Sequence, residues 1–155
     1  MNPANRLDIS LAVAVTFGVL AYVLANGDSL YLGIWYYFAA PAAMVLIALW
    51  LRVGPYFALA ASIGLALTYL PYFYVQLTAA RPEGLLGLGH MFSVPGAALG
   101  LITAASVLKR AKQPGKLEIV VFGSTLVLAG FGIANLALCN SMLYCGKVLS
   151  FALTP

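Results

Sequence analysis

Charge is what this sequence has least of. Only 8% of its residues are Asp, Glu, Lys or Arg, while 63% are hydrophobic. A soluble globular chain carries roughly 25% charged residues. A water-facing surface built from so little charge would be one very large apolar patch, which excludes a soluble domain and leaves lipid as the surrounding solvent. Acid is scarcer still. Asp8, Asp28, Glu83 and Glu118 are the four carboxylates, and each lies at the end of an apolar run. A transporter coupled to protons or sodium needs carboxylates within its spans, and a Ser-His-Asp set needs a buried acid. A single histidine gives no pair to clamp a haem iron, and two cysteines fall short of the four ligands that zinc takes. No glycine loop followed by Lys and Ser or Thr offers a phosphate cradle. The positive charges lie at the ends of apolar runs, not on an aromatic-interleaved basic face, which argues against a nucleic-acid partner. The expectation is a chain with no catalytic residues, no metal and no cofactor, and so not an enzyme.

What is present is a set of five long apolar runs, at about residues 9–25, 31–51, 56–79, 86–108 and 117–138. Each approaches the ~20 residues a helix needs to cross ~30 Å of hydrocarbon. Such segments must be helical, because lipid offers no partner to free N–H and C=O groups. The breaks between them are Asn26-Gly27-Asp28-Ser29, Val53-Gly54-Pro55, Arg81-Pro82-Glu83-Gly84 and the basic loop from Lys109 to Lys116. The first run is read as a retained span and not as a cleaved leader, since its start is weakly basic and no small-x-small site follows. The fold class expected is all-α: one integral membrane domain over residues 1–155, a bundle of five transmembrane helices.

Charge also predicts orientation. With the N-terminus inside, the inner loops hold Arg6, Arg52, Lys109, Arg110, Lys112 and Lys116, and the outer loops hold only Arg81 and Lys147. Lys and Arg beside a span are retained on the cytoplasmic side, so the spacing predicts the N-terminus inside and the C-terminus outside, in a bacterial inner membrane. Tyr31, Trp35, Tyr36, Tyr37, Tyr72 and Tyr74 then fall at the outer interface, and Trp50 and Tyr56 at the inner one.

Within the spans, Pro41, Pro71 and Pro95 are expected to kink their helices. Bent outward, these helices would leave a pocket for a lipid, quinone or partner segment, lined by Tyr37, Tyr69, Gln76, His90 and Ser93. His90 is the first choice for a site, beside the plainer expectation of an interfacial histidine bonded to a carbonyl or water. Gly96 and Gly100 make a GxxxG pattern, Gly64 lies on a similar small-residue stripe, and Gly130 with Ala134 forms a third. Such stripes let helix backbones approach closely. Packing within one chain is expected, with a homodimer through the fourth span as the sharper alternative. Cys139 and Cys145 are expected to form a disulfide bond in an oxidising outer compartment.

The Trp35-Tyr36-Tyr37 start of the second span, after a short outer turn, resembles the five-span membrane anchor of quinoprotein glucose dehydrogenases. The likeness covers about two spans, leaves out the cysteine pair and carries over no residue. On these grounds the chain is expected to act by protein–protein interaction with another membrane or periplasmic protein, as an immunity or inhibitor protein or an accessory subunit. The alternative is a quinone- or haem-contacting subunit of a membrane oxidoreductase, built around His90.

Overall fold

The computed structural model describes residues 3–28, 30–78, 86–111 and 114–141. They form five helices: α1 Pro3–Asn26, α2 Ile34–Leu51, α3 Phe57–Thr78, α4 Leu86–Leu108 and α5 Lys116–Ser141. No strand occurs among the described residues. All five helices are long and apolar enough to cross a membrane. The shortest, α2, has 18 residues and the longest, α5, has 26, which gives about 27 to 39 Å at ~1.5 Å per residue.

The interior and exterior are sorted for lipid. Phe17, Leu24, Leu46, Trp50, Leu99 and Ile133 face outward, while Asp8, Thr68, His90, Ser93, Ser124 and Asn135 are buried. A polar group facing hydrocarbon has no water to bond to, so it is turned inward where another helix can satisfy it.

Three helix ends lie three or more residues from the sequence expectation, and the others lie within one. The first helix begins at Pro3, well before residue 9. Proline suits a first helical turn, where its missing N–H has no partner to lose, so Arg6 and Asp8 are part of α1. The second begins at Ile34 instead of Tyr31, because Asp28 holds the preceding turn. Its carboxylate accepts from Leu30 N (3.2 Å), Gly33 N (2.5 Å) and the Tyr37 hydroxyl (2.8 Å). Tyr31 and Gly33 sit at φ 56° and 82°, values no helix contains. The last helix runs on to Ser141, past residue 138.

The third helix is the hub, packing against α1, α2, α4 and α5. At one end of the bundle the starts of α1, α3 and α5 meet: Asp8 bonds Ala58 and Leu59, and Lys116 sits 5.5 Å over the Tyr56 ring. This is the basic end. At the other, the Asp28 end, α2 and α4 begin and α1, α3 and α5 finish. There Gly87 lies against the Leu30 carbonyl, and Tyr72 bonds Asn135.

Glycines set the closest helix approach, between α4 and α5. A Cβ on Gly96 would collide with Ala134 and the Gly130 carbonyl, and one on Gly100 with the Leu126 carbonyl. On the α3–α5 face a Cβ at Gly64 would lie 2.7 Å from Val127 Cβ. Without a hydrophobic drive between helices in lipid, this close backbone contact supplies much of the association energy. The Gly96–Gly100 face is filled by α5 of the same chain.

Candidate functional site

The Asp28 end contains a cluster of rings and polar groups drawn from four helices. The first turn of α2 supplies Tyr36 and Tyr37. The last three turns of α3 supply Thr68, Tyr69, Tyr72 and Phe73. The first two turns of α4 supply His90 and Ser93, and α5 supplies Phe131 and Asn135. His90 is 0% exposed.

The geometry assigns the proton positions on His90. Nδ1 lies 2.7 Å from the Tyr36 hydroxyl and Nε2 lies 2.9 Å from Thr68 Oγ1. Thr68 donates its own proton to the Leu65 carbonyl at 2.6 Å, so at His90 it can only accept. Nε2 therefore carries the hydrogen, Nδ1 accepts, and Tyr36 donates to it. The chain of donors runs from Tyr36 to His90 to Thr68 to the backbone of α3. A neutral imidazole satisfies every member.

The His90 ring is also held face-on. It stacks on Tyr69 with centroids 4.4 Å apart and planes 11° apart. Tyr69 stacks in turn on Phe73 (5.8 Å, 14°), and Phe73 on Tyr22 of α1 (5.1 Å, 29°). This four-ring column crosses the bundle from a partly exposed tyrosine to the buried histidine. Tyr72 closes a side with its edge, 4.9 Å away and inclined at 83°. Such aromatic pairs add about 0.5–1.5 kcal/mol each beyond the area they bury.

A second network lies beside the first. The Asn135 carboxamide oxygen accepts from the Tyr72 hydroxyl and lies 3.5 Å from Ser93 Oγ and 3.2 Å from Cys139 Sγ. Ser93 bonds the Gly89 carbonyl at 2.7 Å. Two buried hydroxyls, Tyr69 and Ser62, have no hydrogen-bond partner among the described residues.

Of the residues expected to line an outward pocket, the structure brings Tyr37, Tyr69, His90 and Ser93 together. They are packed against one another and their neighbours, with no more than 1% of any exposed. Gln76 is on α3, but its side chain lies outside the described residues, as do Cys145 and hence the expected crosslink to Cys139. Tyr36, Thr68, Tyr72 and Asn135 were not singled out from the sequence as partners of His90. The signal was there in Thr68 and Asn135, which are polar residues inside otherwise apolar helices. The tyrosines resemble ordinary interface residues until their depth is known.

Chemically, the cluster orients and satisfies an imidazole but leaves it no free nitrogen. Among the described residues no three of His, Cys, Asp and Glu come close enough to hold a metal ion. Compared with known proteins, the chain matches no family model, no curated protein and no solved structure, so the likeness to dehydrogenase anchors gains no support there and the site is read from its own geometry.

Proposed function

We propose that this chain is a small multi-pass protein of a bacterial inner membrane that acts by binding another membrane or periplasmic protein, as an immunity or inhibitor protein or an accessory subunit, and not by catalysis. The observation that carries this reading is the saturation of His90. Both ring nitrogens are committed to Tyr36 and Thr68. To ligate haem iron or to bond a quinone, the imidazole would have to break a buried bond and strand its partner, at roughly 1–3 kcal/mol for each stranded group. The cluster is better suited to holding four helices in one arrangement and presenting a fixed end. Tyr31, Trp35 and Tyr74 are exposed there and offer the rigid aromatic contacts that partner surfaces favour.

In this reading the N-terminus is inside and the C-terminus outside, supported by the six cations on inner segments against two on outer ones. The Asp28 end then faces the periplasm. The expected crosslink between Cys139 and Cys145 would form on that side.

One observation favours the second reading, a quinone-contacting subunit. Tyr69 is buried against His90 with an unpartnered hydroxyl, and a phenol in that position has a hydrogen bond to give. Purification in mild detergent separates the readings. Binding to a partner predicts a co-purifying protein, with no haem band in the optical spectrum and no quinone in the lipid extract. A chain that stays alone and carries a stoichiometric quinone overturns it.

A further inference from the structure

A cleft with charged residues in its lining lies at the basic end, away from the His90 cluster. The first turns of α1, the last turn of α2 and the start of α3 enclose about 380 Å³, lined among others by Asn5, Asp8, Leu49, Arg52 and Ala58. Asp8 is the unusual member. It is 3% exposed, and its two carboxylate oxygens accept from Ala58 N at 3.3 Å and Leu59 N at 2.8 Å. Those bonds cap α3 from a neighbouring helix. They use one lone pair on each oxygen, and no cation among the described residues pairs with the carboxylate. The positive end of α3 offsets part of that charge, and the remaining lone pairs can still accept from a further donor. Arg52 also lines the cleft; it ends α2 in a left-handed conformation, φ 50°, and remains exposed.

The cleft is therefore lined by one carboxylate and one guanidinium. It lies at the helix ends, where headgroups lie when the helices span a bilayer. Its rim continues over Leu49 onto the lipid-facing side of α2, next to Trp50, which is 77% exposed. Tryptophan at that position marks the headgroup level.

We propose that this cleft seats the headgroup of a zwitterionic phospholipid with a primary ammonium, that is, a phosphatidylethanolamine. The ammonium donates to the open lone pairs of Asp8, the phosphate lies toward Arg52 and Asn5, and an acyl chain follows Leu49 and Leu46 along α2. Charge complementarity selects this occupant. A purely anionic headgroup sets no cation against Asp8. A trimethylated headgroup carries the cation but no N–H to donate. The inference rests on the helices spanning a bilayer and is independent of which way round they span it.

The test is native mass spectrometry of the full chain released from detergent with equimolar phosphatidylethanolamine, phosphatidylcholine and phosphatidylglycerol. The ethanolamine lipid is expected to bind about tenfold more tightly than either competitor, the ratio expected from one charge-assisted hydrogen bond. Occupancy should fall stepwise through the mono- and dimethylated ethanolamine lipids. Asp8→Asn keeps an oxygen to cap α3 and should abolish the preference. Arg52→Asn tolerates the left-handed backbone and should weaken all three lipids together, since they share the phosphate. Equal binding of the three lipids, a methylation series without a trend, or an Asp8→Asn variant that keeps the preference would each overturn the proposal. Should Asp8→Asn fail to fold, the methylation series and Arg52→Asn decide the matter on their own.

Discussion

His90 shows what a single residue can and cannot reveal. As the only histidine in an apolar chain it stands out at once, yet it is not an interfacial histidine on a carbonyl or water: it is buried, with its two ring nitrogens on the hydroxyls of Tyr36 and Thr68. Its partners were not legible, because they come from sequence positions 54 and 22 residues away and meet only through the packing of α2 and α3 on α4. Tyr69 gives the sharpest experiment at this scale. Its hydroxyl is buried without a partner, a penalty of about 1–3 kcal/mol in a folded protein. Tyr69→Phe keeps the ring stack on His90 and removes the penalty, so it should raise the thermal unfolding midpoint in detergent, by the equivalent of about 1 kcal/mol. A lowered midpoint would show that something bonds this phenol, and would move the balance toward the quinone reading. The cysteine pair belongs to this scale too. Alkylation without reductant, followed by mass spectrometry, should label neither Cys139 nor Cys145; full labelling of both rejects the crosslink.

At the scale of the helices, most of the architecture was readable because lipid imposes a minimum length on any span, and five runs met it. The helix ends were less readable. The start of α2 depends on a carboxylate six residues upstream gathering three donors, and hydropathy does not register such a turn. The glycine stripes on the third, fourth and fifth spans were legible as packing surfaces, but not which helix each would meet. The structure pairs Gly96 and Gly100 with α5 and Gly64 with Val127. Two substitutions test that pairing. Gly100→Ala drives a methyl into the Leu126 carbonyl and should destabilise the protein by about 1–3 kcal/mol, the usual cost of overpacking. Gly132→Ala meets nothing within 4 Å and should be neutral or stabilising by up to about 1 kcal/mol, because alanine is the better helix former. Thermal unfolding of both variants in the same detergent makes the comparison. Similar midpoints would mean that α4 and α5 are not packed as described.

For the whole molecule the property to test is which way round it sits. Charge is the only guide, and it predicts that the loop after α4 stays in the cytoplasm. A single reactive cysteine placed at Gln113, in a background with Cys139 and Cys145 replaced by serine, should be protected from an impermeant maleimide in intact cells and labelled after lysis. Labelling before lysis would invert the assignment, and with it the compartment in which the native cysteines meet.

The donor sequence through His90 bears on what this protein does to the membrane that holds it. Once Thr68 has given its hydrogen to the Leu65 carbonyl, the next atom along is an amide oxygen with nothing to pass on. In the proposed setting, a membrane that stores energy as a pH difference, this dead end is expected to keep the imidazole from opening a proton path. Replacing Thr68 by a residue that can lose and regain its proton, such as aspartate, is where such a leak would begin.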